Sequence, residues 1–155
     1  MLPKNILVPT DLSAGAEAAL DYACELATKL EATVHLVHVI AIPALGVPEL
    51  GVAITSTVID QVIAENQIQI DSLADARRDK TMIGEVLLRT GDPRDVIEAT
   101  ASQVHADLIV MGTHGRRGIS RALLGSVAES LVRSAPCPVL TVRISKHDKT
   151  DRHAA

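Results

Sequence analysis

Leu108-Ile109-Val110-Met111 is an unbroken apolar run that stops at Gly112. A strand with no polar alternation has to be covered on both faces, which is the condition of a parallel sheet packed between helices. Ile6-Leu7-Val8, stopped by Pro9, reads the same way. Between these runs the apolar spacing changes from strand to helix. Ser13 offers an N-cap, and Ala16, Ala19, Leu20, Ala23, Leu26, Ala27 and Leu30 recur on one helical face. Thr33 to Ile40 is β-branched enough for a second strand. Val58, Ile59, Val62, Ile63, Ile70 and Leu73 mark a long amphipathic helix, and Ile83 to Leu88 a third strand. Asp92 and Pro93 form a helix start, with Val96, Ile97 and Ala101 on its inner face. A last helix runs to about Ser134, and Val139-Leu140-Thr141-Val142 follows Pro136 and Pro138 as a last strand.

The order β-α-β-α-β-α-β-α-β predicts a parallel sheet with right-handed crossovers and helices on both faces. Ligands in such sheets bind at the carboxyl ends of the strands, where the strand order reverses. That places a site near Pro9 to Asp11, Ile40, and Gly112 onward. The connection 41–56, with Pro43, Gly46, Pro48 and Gly51, is long enough to be read as functional or mobile.

Composition narrows the classes. A chain of 155 residues, 47% hydrophobic and 22% charged, suits one globular domain. Its net charge of −4 argues against nucleic acid as a main partner. There is no Phe, no Trp and a single Tyr, Tyr22, so base recognition by aromatic stacking is almost excluded. A bound nucleobase would sit between aliphatic side chains and meet backbone polar groups. Cys24 and Cys137 have no spacing that suggests a disulfide framework or a zinc site. Lys4 and Asn5 come too early for a signal peptide, and no apolar run nears the ~20 residues of a membrane span. The expectation is a cytoplasmic protein that does not engage membranes.

After the fourth strand the chain reads Gly112-Thr113-His114-Gly115, then nine residues, then Gly125-Ser126. Three features point to phosphate binding. Gly112 and Gly115 can take positive φ and let the backbone approach an anion that a Cβ would block. Ser126-Val127-Ala128-Glu129 matches a capping box, so a helix should start at Ser126, with Gly125 just outside its N-terminus, a natural anion site. From Leu108 through Ala128 there is no Asp or Glu, whereas Arg116, Arg117 and Arg121 are present. The loop is neither a Walker A motif nor a dinucleotide fingerprint, and it has no catalytic lysine.

The pattern G-x2-G-x9-G-[S/T] in Gly112, Gly115, Gly125 and Ser126 resembles the ATP-binding signature of the universal stress protein family. Ile6-Leu7-Val8-Pro9-Thr10-Asp11, His38-Val39, Met111-Gly112-Thr113-His114-Gly115, Leu124-Gly125-Ser126-Val127 and Pro136-Cys137-Pro138-Val139-Leu140 match its habits too. The resemblance runs over about residues 3 to 143. It implies that backbone near Val39 meets adenine and that Asp11 accepts ribose hydroxyls, with Pro9 and Thr10 shaping that wall. It implies that Gly112, Gly115, Gly125, Ser126 and Val127 hold the phosphates, and it brings Met111, His114 and Arg116 into the cofactor-binding set. It also implies a homodimer through the last strand, Val139 to Arg143, and an unidentified protein partner. Any metal would be Mg²⁺ carried on the ATP phosphates, with Ser126 a candidate ligand.

The expected fold is a Rossmann-like three-layer α/β sandwich. Its five-stranded, mostly parallel sheet has the order 3-2-1-4-5. Residues 1–144 would form the single domain, and 145–155 a polar, disordered tail. Asp11 reads as a ribose acceptor or as a plain loop residue before a helix cap. A phosphoacceptor aspartate is disfavoured, because residues 5 to 9 hold no acid and Thr141-Val142-Arg143 offers no lysine. His35 and His38, three apart on a strand, point to opposite faces and read as half-buried histidines rather than a metal pair. His114 either contacts an anion or faces solvent. The functional readings are an ATP-binding signalling module, a slow ATPase or phosphotransferase using Asp11 or His114, and an ATP-independent structural dimer.

Overall fold

A computed structural model of the chain describes residues 2–41, 56–113 and 124–143. The long 42–55 connection and the tail from 144 lie outside the described residues. The elements are β1 (Asn5–Thr10), α1 (Ala14–Leu30), β2 (Thr33–Ile40), α2 (Ser56–Asp75), β3 (Ile83–Thr90), α3 (Pro93–Gln103), β4 (Leu108–Gly112), α4 (Ser126–Ser134) and β5 (Val139–Val142). The five strands form one sheet in the order β3-β2-β1-β4-β5, and every pairing is parallel. The alternation of apolar runs and helical spacing therefore agrees with the parallel architecture, and the order agrees with the one expected alongside the family resemblance.

Alternation along the strands sorts the core into two layers. Ile6 and Val8 of β1, with Val34, Leu36 and Val110, pack against Leu20, Ala23 and Ala27 of α1 and Ile70 of α2. Leu7, Val37, Ile109 and Met111 point the other way, toward Ile97 and Ala101 of α3 and Ala128 and Leu131 of α4. Each of Ile6, Leu7 and Val8 is fully buried. Burying one such side chain is worth about 1.5–3 kcal/mol, so β1 is the most densely anchored strand.

The helix ends follow from the sequence. Ser13 caps α1, its hydroxyl accepting from the Ala16 N–H at 3.3 Å. At the other end Glu31 turns left-handed at φ 54°, and Lys4 Nζ donates to the Leu30 carbonyl at 2.8 Å. Asp92 caps α3 by accepting from the Arg94 N–H at 2.9 Å, with Pro93 at the helix start. Arg77, just past α2, ties that end to α1 through Asp21 Oδ1 at 2.6 Å and Glu17 Oε1 at 3.4 Å. Cys24 is buried and Cys137 half-buried, both as free thiols. Burial pushes both pKa values up, which keeps them protonated.

Pro9 does not stop β1; the strand continues through Pro9 and Thr10, which pair with Val37 and His38. The reason lies in the alternation of backbone groups. Lys4's carbonyl accepts from Thr33 on the β2 side, and Asn5's from Asp107 on the β4 side. Pro9 falls on the β4 side, where pairing with β1 has already ended at Leu7. Its missing N–H therefore breaks no ladder bond.

The register between β2 and β3 slips between Val34, opposite Ile83, and Leu36, opposite Val86. His35 occupies the irregularity. Its Nδ1 accepts from the Glu85 N–H at 3.1 Å, and Gly84 makes the room: a Cβ there would lie 2.7 Å from His35 Cε1. With Nδ1 as acceptor the ring proton sits on Nε2, which is buried without a partner.

Burial lowers the His35 pKa from its ordinary value, against a smaller opposing pull from Glu85. A second ring proton would also displace the Glu85 N–H from Nδ1. The unfolded chain thus binds a proton at His35 more readily than the folded one. Stability from this site is complete above about pH 6.5 and is lost as pH falls toward the lowered folded value. His35→Asn, whose Oδ1 can replace Nδ1 as acceptor, should lose less stability than wild type between pH 7.5 and 5.5 by denaturant melts. Equal losses in the two proteins would remove His35 as the source.

Candidate functional site

β1 and β4 are neighbours for only two register pairs, Ile6 with Leu108 and Leu7 with Ile109. Beyond them β1 stays with β2 as far as Thr10–His38, while β4 stays with β5 as far as Gly112–Val142. The two strands therefore part at their carboxyl ends, at the place where the strand order reverses. This is the crevice in which open α/β sheets bind ligands. Pro9, Thr10 and Asp11 end one side of it; Met111, Gly112 and Thr113 end the other. Val39 lies near the end of β2, half-buried and paired with Arg89.

On the β4 side, Gly112 is needed for packing and not for a positive φ: Gly91, at φ 139°, is the only described glycine with one. A Cβ on Gly112 would lie 3.0 Å from the Gly15 carbonyl oxygen and 3.1 Å from its carbon. The first turn of α1 thus rests directly on the end of β4. Thr113 then joins three segments: its N–H donates to Val142 at 3.1 Å, and its carbonyl accepts from the Gly125 N–H at 2.8 Å.

That last bond sets the start of α4 beside the end of β4. Gly125, at φ −61° and ψ 153°, is the N-cap, without a side-chain cap bond. The expected capping box at Ser126 is therefore corrected. Ser126 is the first helical residue, and Glu129 reaches forward to Arg133 at 3.0 Å. The first helical bond runs from the Glu129 N–H to the Gly125 carbonyl at 2.9 Å. Helix geometry consequently supplies no internal partner for the N–H groups of Ser126, Val127 and Ala128. They form the positive end of the α4 dipole. Gly125's own N–H is engaged with the Thr113 carbonyl.

On the β1 side the chain turns sharply. Thr10 Oγ1 accepts from the Leu12 N–H at 3.1 Å, and Asp11 Oδ1 accepts from the Ser13 N–H at 3.0 Å. Leu12 is left-handed at φ 63°. For a residue with a side chain this costs about 1–2 kcal/mol, and such strain collects where a chain must present groups in a fixed way.

His38 was expected as an ordinary half-buried histidine; it is buried at 6% exposure and bonded at both nitrogens. Nδ1 lies 2.7 Å from the Thr10 carbonyl oxygen and Nε2 2.9 Å from Asn66 Oδ1. Sequence reading had no means to pair Asn66 with it, because the partner stands 28 residues away on α2. His114, Gly115 and Arg116, with Arg117 and Arg121, lie outside the described residues. Among the described residues no group of three or more His, Cys, Asp or Glu could hold a metal ion. A groove of about 540 Å³ lies between α1 and the segment after α2, lined by Asp21, Cys24, Arg77 and Lys80 among others. It includes none of the strand-end residues, and its Arg77 is already paired with Asp21 and Glu17.

A sequence profile described as the Universal stress protein family matches residues 3–143. A universal stress protein of Methanocaldococcus jannaschii is 34% identical over 149 residues, covering 95% of this chain and 86% of the relative. The solved structure of the universal stress protein UspA from Lactobacillus plantarum superposes with a TM-score of 0.78 at 29% identity, covering 90% of this chain and 97% of that one. A universal stress protein crystallised in complex with cAMP shares the fold, with a TM-score of 0.66 at 24% identity, covering 94% of this chain and 100% of that one.

Because the atoms facing Gly112 are backbone, they cannot move aside as a side-chain tip would. Gly112→Ala should therefore destabilise the protein by about 1–3 kcal/mol, the usual range for overpacking, in chemical denaturation. An unchanged midpoint would mean that α1 does not rest on β4 as described.

Proposed function

The chain belongs to the universal stress protein family, and on that premise we propose that it is a nucleotide-binding member with ATP as its ligand, acting as a homodimeric cytoplasmic module whose state a protein partner reads. The observation that carries this reading is the parting of β1 and β4 directly beside the start of α4. That arrangement aims helix N–H groups and a positive dipole end at a crevice, a ready anion site. Gly125 supports it in a second way. Its φ and ψ suit any residue, so backbone conformation does not demand glycine there. In this reading glycine leaves room there for a bulky ligand.

In this reading the phosphates meet the N–H groups of Ser126 and Val127 and the Ser126 hydroxyl, beside Gly112 and Gly125. Gly115, His114 and Arg116 complete the anion side. Asp11 accepts the ribose hydroxyls, Pro9 and Thr10 wall the sugar, and backbone near Val39 meets adenine. Met111, pointing to the α3–α4 side, contributes apolar surface. Mg²⁺ rides on the phosphates, with Ser126 as its protein ligand. The adenine contacts are aliphatic and backbone, since Tyr22, the only aromatic residue, lies on α1 away from the strand ends.

Freshly purified protein should release near-stoichiometric ATP on denaturation, and Gly125→Val should release none while keeping its fold. At a hundredfold excess over Kd, ATP should stabilise the wild type by about 2.7 kcal/mol. ADP in place of ATP would turn the reading toward hydrolysis. An empty protein that also fails direct titration would end it.

The dimer has its own test. β5 pairs only with β4 among the described residues, so its outer edge is open. Pro138 and Val142 use their carbonyls toward β4, which by alternation turns the Thr141 N–H outward. Thr141→Pro removes that donor without touching the β4 ladder. It should give a folded monomer by sedimentation; a dimer of wild-type strength would move the interface away from β5.

A further inference from the structure

His38 sits on the face of β2 turned toward α2, buried and with polar contacts at both ends of its ring. The Thr10 carbonyl can only accept, so Nδ1 donates to it, at 2.7 Å. At the far side, Asn66 gives its Nδ2 to the Val62 carbonyl at 2.8 Å and presents Oδ1 to Nε2 at 2.9 Å. A second ring proton completes the contact to Oδ1. A singly protonated ring is served by the amide turned over, at the expense of the Val62 bond. In either state one chain of contacts runs from helix α2 through the imidazole to the last residue of β1.

We infer that His38 and Asn66 are positioning residues for the Thr10–Asp11 corner, and that nucleotide affinity depends on this tie. The inference rests on the nucleotide-binding reading of the same site. Its physical ground is the strain of the corner. Leu12 is left-handed at φ 63°, and a strained residue persists only where its surroundings over-determine it. Two of the restraints are local: the Leu12 N–H to Thr10 Oγ1 and the Ser13 N–H to Asp11 Oδ1. Both are made within residues 10–13, so beyond the ladder pairing of Thr10 with His38 they add no tie to the rest of the sheet. His38 reaches Thr10 from another strand and is itself braced by a helix. Without it the Thr10 carbonyl loses a donor, and the corner that carries Asp11 loses its side-chain tie to β2 and α2.

The two ring nitrogens can be mimicked separately. The amide of Asn falls where Nδ1 lies, and the amide of Gln reaches toward Nε2. His38→Leu should weaken ATP binding roughly tenfold, which corresponds to about 1.4 kcal/mol, the scale of one lost hydrogen bond. His38→Asn should restore most of that affinity by keeping the donor to Thr10, whereas His38→Gln should not. Asn66→Ala should fall between Leu and Asn. Calorimetric titration with ATP reads the affinities, and circular dichroism confirms folding of each variant. Unchanged affinity in folded His38→Leu, or no advantage of Asn over Leu, overturns the inference.

The tie is also read without nucleotide, from the imidazole ¹⁵N signals of the ligand-free protein. A His38 Nδ1–H protected from exchange, and less protected in Asn66→Ala, is expected. A freely exchanging Nδ1–H overturns the tie itself. A protected one in a protein that binds no adenine nucleotide shows that the nucleotide reading has failed, and the link to affinity falls with it.

Discussion

Backbone hydrogen bonding of β1 governs the rest of the structure. A central strand has neighbours on both sides, and here one neighbour leaves early: β4 accompanies β1 only through Leu7, whereas β2 follows it to Thr10. The connectivity requires this. Chain order carries the sheet outward through β2 and β3 and then back across β1 to β4. Right-handed crossovers place α1 and α2 over one face and α3 and α4 over the other. The helices that come next after β1 and β4, α1 and α4, therefore lie on opposite layers. An opening between their ends follows from topology before any side chain is chosen, and the side chains then adapt to it. Pro9 is tolerated because its nitrogen faces the vacated side, and Gly112 is required because α1 begins against it.

The absence of large aromatic residues shapes the same region. Without Phe or Trp, the core is filled with Val, Ile, Leu and Ala, and the buried face of α1 is mostly alanine: Ala16, Ala19, Ala23 and Ala27 beside Leu20 and Cys24. Small side chains let a helix lie close to the sheet. Close approach brings the backbone of Gly15 to within 3.0 Å of where a Gly112 Cβ would stand. A bulkier helix face would stand farther off and would relax that requirement. The glycine that ends β4 is thus a consequence of how the core is packed, as well as a feature of the crevice.

The legibility of the chain divides along physical lines. Strand and helix existence, the parallel order and the caps at Ser13 and Asp92 were readable, because each depends on residues near in sequence. The errors arose where distant segments decide. Pro9 looks like a terminator until the register shows which side its nitrogen faces. Ser126 has the residues of a capping box and the helix does start there, yet the cap is Gly125, whose N–H is held by the Thr113 carbonyl, so Ser126 is the first helical residue and not the cap. Gly112 is expected to supply positive φ and room for an anion; no positive φ is found, and the atoms that exclude a Cβ are the Gly15 backbone. His38 was dismissed because periodicity says which way a side chain points but not what waits there. The partner, Asn66, becomes visible only when α2 is laid over β2.

His35 and His38 show how one strand serves two ends of the molecule. Their spacing of three sends them to opposite faces, as expected. His35 fills the β2–β3 irregularity, where its acceptor nitrogen replaces a backbone partner that the slipped register cannot supply. His38, two residues from the carboxyl end of β2, donates to β1 instead. The same ring is an acceptor in one place and a donor in the other, and the backbone group it faces decides which. An N–H at Glu85 requires a bare Nδ1, and a carbonyl at Thr10 requires a protonated one. A second ring proton would break the contact at His35, where Nδ1 must stay bare to accept from Glu85.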